Sequence, residues 1–278
     1  MSDVTRMTPA TIVGCVALSA AAALFSTTAH GQALEDLALE QQGLNQRPAA
    51  GTWNVALGAG LADRPDYPGS SHYQVRPVPL VSISYGDRLA VGPFGLGFAA
   101  LDWNGLRAGP VLGIEAGRRE SVDSHLNGLG DISTSVTGGA FVSYRVGVFD
   151  IYATARQAIN DSGSGLSGLV QFNFRQALVP RKLEFIAGPD MEFGNREHEQ
   201  TWFGVTAAQS LQSGLPVYTP GGGVNTVGIH AALTYRASEH VSWRAFTNLK
   251  DLTGQAADSP IVERRIEYVF GLGAAYHF

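Results

Sequence analysis

The stretch Ile266-Glu267-Tyr268-Val269-Phe270-Gly271-Leu272-Gly273-Ala274-Ala275-Tyr276-His277-Phe278 decides the fold. Ile266, Tyr268, Phe270, Leu272, Ala274, Tyr276 and Phe278 fall on one face, and that face carries no charge. Arg265, Glu267, Val269, Gly271, Gly273, Ala275 and His277 make the other, which is mostly small or polar. Apolar and polar positions alternating with period two describe a β-strand whose faces meet different solvents. A strand of this length that turns an uncharged face outward suits a transmembrane β-barrel. There a charge facing lipid at the midplane costs about 2–4 kcal/mol. Phe278 with Tyr276, ending such a strand, is expected to be the signal read by the barrel-assembly machinery.

The same period recurs upstream. Trp53, Val55, Leu57, Ala59 and Leu61 alternate with Asn54, Ala56, Gly58, Gly60 and Ala62. Tyr73, Val75, Pro77, Pro79, Val81 and Ile83 share a face, and Phe149, Ile151, Ala153 and Ala155 oppose Asp150, Tyr152, Thr154 and Arg156. Two further segments, Leu183–Phe193 and Val241–Lys250, alternate with one exception each, Ile186 and Phe246. About ten segments are long enough to span, and a shorter hairpin, Leu89–Gly92 with Gly95–Leu101, raises the count to about twelve, an even number as closure requires. The expected fold is all-β: an antiparallel outer-membrane β-barrel of about twelve strands, with ten as the alternative.

Loop lengths orient it. Short periplasmic turns are expected at Gly86-Asp87, Val146-Gly147, Val179-Pro180-Arg181 and Ala237-Ser238-Glu239. Longer outer loops are expected at Ala62–Ser71, Arg119–Gly130, Asn160–Gly165, Asn195–Gly222 and Asp251–Ile261. The two sets alternate along the chain when Asn195–Gly222 is one excursion. Within it, Thr206–Gln212 breaks the period and suits a short helix near 206–213, ended by Gly214-Leu215-Pro216. Such an excursion would fold inward and narrow the bore, or lie on the rim.

The other end of the sequence reads as an export signal over residues 1–33: Arg6 is the positive start, Ile12–Phe25 the apolar run, and small residues at Ala29, Gly31 and Ala33 offer cleavage sites. Cys15, the single cysteine, sits inside that run. Ile12-Val13-Gly14-Cys15 looks like a lipoprotein acylation box, but the apolar run continues past Cys15, so lipidation is not expected. The mature chain would then hold no thiol. Residues 34–52 read as a largely polar periplasmic tail, and 53–278 as the barrel.

Composition agrees with this reading. Glycine is frequent at 34 of 278 residues, and only 15% of the chain is charged. A formal net charge of −5 argues against nucleic-acid partners, whose phosphates need a basic face.

The sequence offers no catalytic set. His72, His125, His198, His230, His240 and His277 are scattered, no Gly-x-Ser-x-Gly elbow opens a helix, and Ser162-Gly163-Ser164-Gly165 is a polar loop tip. Arg196-Glu197-His198-Glu199 reads as a solvated loop and not a metal site, because it lacks a second histidine. Gly221-Gly222-Gly223 is a hinge and not a phosphate cradle. No catalytic residue, metal ligand or cofactor is expected. The charges on the polar faces, Arg107, Glu115, Arg145, Asp150, Arg156, Arg175, Glu184, Asp190, Glu192, Arg244, Arg265 and Glu267, are expected in the lumen. With both signs present, they read as a cross-barrel ion-pair network in preference to a selectivity lining.

Several motifs together resemble one family. They are Pro68-Gly69 before Tyr73 and Pro77, Trp202-Phe203-Gly204-Val205, Ser213-Gly214-Leu215-Pro216 with Tyr218, and Leu252 through Ala256-Ala257-Asp258-Ser259-Pro260-Ile261-Val262. The ending Tyr276-His277-Phe278 completes the set. From about Trp53 to Phe278 the chain resembles the MipA/OmpV family of outer-membrane proteins, with Trp202 where the family pattern has tyrosine. The resemblance implies a barrel in outer-membrane lipid. It also implies, by analogy, a scaffold between a lytic transglycosylase and a penicillin-binding protein, and it carries over no catalytic residues. A narrow solute channel is the second reading, and a barrel enzyme the third. Replacing Phe278 with aspartate is expected to impair membrane assembly while leaving export intact. The measurement is heat-modifiable gel migration of the folded barrel, and unchanged folded yield would count against the assembly role.

Overall fold

A computed structural model describes residues 51–86, 88–160 and 164–278. The export signal with Cys15, the tail to residue 50, Asp87 of the first turn and residues 161–163 of one outer loop lie outside the described residues.

Thirteen antiparallel segments form one sheet among the described residues. They are β1 (Trp53–Pro65), β2 (Tyr73–Tyr85), β3 (Leu89–Gly92), β4 (Gly95–Phe98), β5 (Leu101–Trp103), β6 (Leu106–Glu115) and β7 (Ser135–Val146). Then follow β8 (Phe149–Ala158), β9 (Leu166–Val179), β10 (Leu183–Gly194), β11 (Gly223–Arg236), β12 (Val241–Leu252) and β13 (Ile266–His277). Sequential neighbours pair except β4 with β5, and β1 also pairs with β13. Both β4 and β5 pair with β6, so they are two pieces of one broken strand. The thirteen segments therefore fill twelve positions, and the β4–β6 pairing closes the ring. No helix is long and apolar enough to cross a membrane.

The outward row is the uncharged one. Ile266, Tyr268, Phe270, Leu272 and Tyr276 are exposed, whereas Glu267, Val269 and Gly271 are buried inside. At the end where the short turns gather, exposed aromatic residues ring the barrel: Trp53, Tyr85, Trp103, Tyr144, Phe149, Tyr235, Trp243 and Tyr276. An apolar band edged by aromatic rings is how a barrel meets the two zones of a bilayer. At the other end Tyr73 and Tyr268 stack with centroids 4.4 Å apart.

The turns explain the register. Asn104 (φ 48°) and Gly105 (φ 88°) form the two-residue link between β5 and β6, where both central residues need positive φ. On β2, Pro77 pairs with Leu61 and Pro79 with Ala59. A proline has no N–H to give β1, so its nitrogen faces the opposite side. On that side β3 reaches β2 only from Ile83 to Tyr85. The prolines thus stand where the wall lacks a full-length neighbour and remove donors that nothing would satisfy.

Strand limits differ from the expected ones at two loops. β1 runs on to Pro65 and β12 to Leu252, which shortens the Ala62–Ser71 and Asp251–Ile261 loops from their near ends. Asn195–Gly222 does not span. It forms helix α1 (Arg196–Phe203) and helix α2 (Ala207–Ser213). The sequence pointed to α2, which starts on a Thr206–Gln209 capping box and stops at Gly214 in the left-handed region (φ 77°). It did not point to α1, capped by Asn195, because the buried face of α1 begins with His198 and Glu199 and so shows no apolar period.

Leu272 lies mid-strand on the lipid face. Leu272→Lys is expected to lower stability by about 2–4 kcal/mol, measured by denaturant unfolding in lipid vesicles, while Leu272→Val stays near wild type.

Candidate functional site

The lumen is filled in layers. In its middle, Ala62, Val78, Ala232, Phe246 and Val269 form an apolar cluster on the β1, β2 and β11–β13 wall. Phe94, from the turn between β3 and β4, reaches across to pack on it. Ala90, Ala99, Val111, Phe141 and Tyr152 form a second cluster on the other wall. Phe246, an exception to the strand pattern, is inside because it builds this belt, and Ile186, the other exception, is buried inside too. Gly271 is glycine for the same reason, since a side chain there would collide with the Phe246 ring.

Polar groups flank the belt. On the β8–β11 wall, His230 Nδ1 lies 2.9 Å from Asp190 Oδ2, and His230 Nε2 lies 2.8 Å from Asn173 Oδ1. The Asn173 amide nitrogen donates to Asp150 at 3.0 Å, which turns the amide oxygen toward His230 Nε2. Asp150 also accepts from Arg175 Nε at 2.5 Å and faces Arg145 at 3.8 Å, and Arg175 reaches Glu184 at 3.7 Å. On the outer side of the belt, Lys250 donates to Glu192, and Glu267 accepts the Gly69 N–H from the first outer loop.

Of the charges expected inside, Arg107, Glu115, Asp150, Arg156, Asp190 and Glu267 are buried. Arg145, Arg175, Glu192 and Arg244 are partly buried. Arg107 meets Asp102 at 3.5 Å. Glu184 stands exposed at the mouth with the short turns. Arg265 corrects the expectation: it precedes β13, its side chain is 57% exposed, and it faces Asp251 at 3.9 Å on the rim. The sequence missed Lys250, His230, Arg64 and Arg118, all buried, although Lys250 and His230 sit on the polar parity of their strands.

The outer mouth is covered by a folded cap. Tyr67, Leu126, Leu129, Val205 and Ile261, from four loops, make one small core, and Trp202, Phe203, Leu252 and Ala256 make another. Backbone carbonyls tie the loops together: Tyr67 donates to Ile261 (3.2 Å), Arg118 to Trp202 (3.3 Å) and Ser259 to Phe203 (2.6 Å). His198 is not on a solvated loop. It is buried under α1, 2.9 Å from the Ser164 carbonyl and 3.8 Å from Glu115, and burial lowers its pKa. Neighbouring Glu199 accepts from Asn225 at 2.8 Å, and burial pushes its carboxyl up to about 7. α2 lies on the rim with no buried residue.

His72, Asp123 and Glu263 bring three outer loops together, with one donor atom from each within 4.8 Å of the others. Hydrogen bonds already occupy these atoms: Asp123 accepts from His72 (2.9 Å) and Ser70 (3.2 Å), and Glu263 from Tyr67 and Ser71. At the other mouth, Ser242 Oγ lies 2.8 Å from His277 Nε2, and no carboxylate is hydrogen-bonded to His277 among the described residues. The same mouth opens into a cavity of about 600 Å³ lined by Arg145, Arg175, Arg236 and Arg244.

Residues 57–278 match the family of MltA-interacting protein MipA. The chain belongs to this family. It is an outer-membrane β-barrel, capped at the end opposite the short turns. No curated protein matches it in sequence. Among solved structures, the NanC porin is similar at 8% identity and a TM-score of 0.37, over 81% of this chain and 99% of that one. The toluene transporter TodX of Pseudomonas putida is similar at 10% identity and a TM-score of 0.36, over 84% and 92%. OmpT of Vibrio cholerae is similar at 12% identity and a TM-score of 0.29, over 82% and 97%.

The cap of this MipA-family barrel has a pH signature. The hydrogen bond to Asp123 raises the His72 pKa above its usual 6.5. Burial pushes Asp123 up, but hydrogen bonds from the His125 N–H, His72 and Ser70 outweigh it and hold the carboxyl low. A raised histidine pKa stabilises the loops below 6.5, and that stability is lost as pH rises through the raised value. Buried His198 acts in the opposite sense below 6.5, because its protonation is disfavoured. The expected outcome is that His72 titrates above 6.5 by NMR and that the cap becomes more open to protease as pH rises past that point. Asp123→Asn should return His72 toward 6.5 and abolish the pH step.

Proposed function

We propose that this barrel is a non-enzymatic, closed scaffold of the cell envelope, and not a general porin. The observation that supports the reading best is the apolar belt, in which Phe94 packs on the cluster of Ala62, Val78, Ala232, Phe246 and Val269. Solutes and ions cross a bore lined with water, whereas close-packed aromatic and aliphatic side chains leave none. The cap adds a second closure at the outer mouth. A closed lumen leaves binding as the work of the surfaces, and the family is named for interaction with MltA, so a lytic transglycosylase is the first partner to test. A penicillin-binding protein joined through it extends the same reading. The short turns lie at one mouth and are the natural docking region.

The full-length protein in planar bilayers should show little steady conductance. It should retain a lytic transglycosylase in a pull-down from envelope extract. A double change, Phe94→Ser with Phe246→Ser, should wet the belt and raise conductance without preventing folding. Large, steady open-channel currents from the unaltered protein would replace the scaffold with the solute-channel reading.

A further inference from the structure

The cavity at the short-turn mouth has a charge pattern that the scaffold reading does not use. Its lining includes six arginines and lysines but only two glutamates, Glu184 and Glu239. Asp150, behind the wall, is already shared between Arg145 and Arg175. Even a carboxylate on Phe278 leaves this mouth cationic. Two guanidinium groups carry the argument. Arg175 on β9 uses Nε for Asp150 and Nη1 for Glu184, and its Nη2 has no hydrogen-bond partner among the described residues. Arg244 on β12 is half-buried in the cavity wall, and its Nη2 likewise has none. Across the sheet between them lie Ile186 and Glu184 on β10 and Thr234 on β11, so Glu184 is the single carboxylate set between the two guanidinium groups.

Gathering like charges in a recess is costly unless something of opposite sign compensates. The guanidinium fork matches the oxygens of a carboxylate or a phosphate, and a recess concentrates the field on whatever enters it. The geometry points to a binding site for a small multivalent organic anion at this mouth, gripped between Arg244 and Arg175. The ligand presents at least two carboxylate or phosphate groups. A volume of about 600 Å³ accommodates a molecule of metabolite size. On the proposed closed reading, the apolar belt that includes Phe246 blocks the lumen beyond it, and the anion binds there without passing through. This site stands whether or not the barrel serves as a scaffold.

The test is calorimetry and thermal melting of the refolded full chain in zwitterionic detergent at low salt, with pyrophosphate and citrate as probes. Saturable binding of either probe is expected, and the one bound more tightly tells phosphate from carboxylate recognition. Arg244→Gln should weaken that binding at least tenfold, and Arg244→Lys by less. Without anion, Arg244→Gln should leave the melting temperature unchanged or raise it, because it removes one guanidinium from a mouth where cations outnumber carboxylates. Failure of both probes to bind saturably, or equal binding by Arg244→Gln, overturns the proposal. So does a lowered melting temperature of Arg244→Gln without anion, which would make Arg244 a structural cation.

Discussion

Everything in this protein depends on one constraint: lipid offers no partner to a backbone N–H or C=O. A sheet in that setting must satisfy each strand from its neighbours and must have no edge. Here the ring closes through β1 with β13 on one side and through the broken β4–β5 strand with β6 on the other. The β3–β4 hairpin is short, and its neighbours compensate. Pro77 and Pro79 on β2 remove donors on the thin side, and Ile114 gives its N–H to the Phe94 carbonyl in the turn. Closure and its one weak sector are thus handled by local chemistry.

Closure creates an interior that side chains must fill. A twelve-position ring is wider than the smallest barrels, whose lumens side chains fill unaided. Three devices fill it together. They are the apolar belt, the hydrogen-bonded chain from Asp190 through His230, Asn173 and Asp150 to Arg175, and the folded outer loops. The buried charges find partners across strands, so each costs less than it would alone. The mouth with the short turns is left open and cationic.

Much of the barrel was legible because period two reports a physical boundary. Ile266 to Tyr276 alternates since lipid lies on one side and the lumen on the other. The same rule placed Asp150, Arg156, Asp190 and Glu267 inside. It failed wherever the lumen itself is apolar: Phe246 and Ile186 looked like errors in the pattern and are parts of the filling. It also failed at Arg265, one residue outside β13, where parity no longer says which way a side chain points. The Asn104-Gly105 dipeptide is a strong local turn signal and marks a short turn that the loop-length reading passed over.

What the sequence determined by itself was the solvent of each strand face, the strand number to within the short hairpin, and the family. These follow from local alternation and short motifs, which need no knowledge of distant contacts. Only the tertiary structure decided how the interior is used. Phe94 packed on the cluster that holds Phe246, His198 buried beneath the loops, three loops converging on Asp123, and Arg244 brought to the same mouth as Arg175 all join residues far apart in the chain. Their meeting depends on strand register and ring closure. Those are properties of the whole sheet, and no single segment carries them.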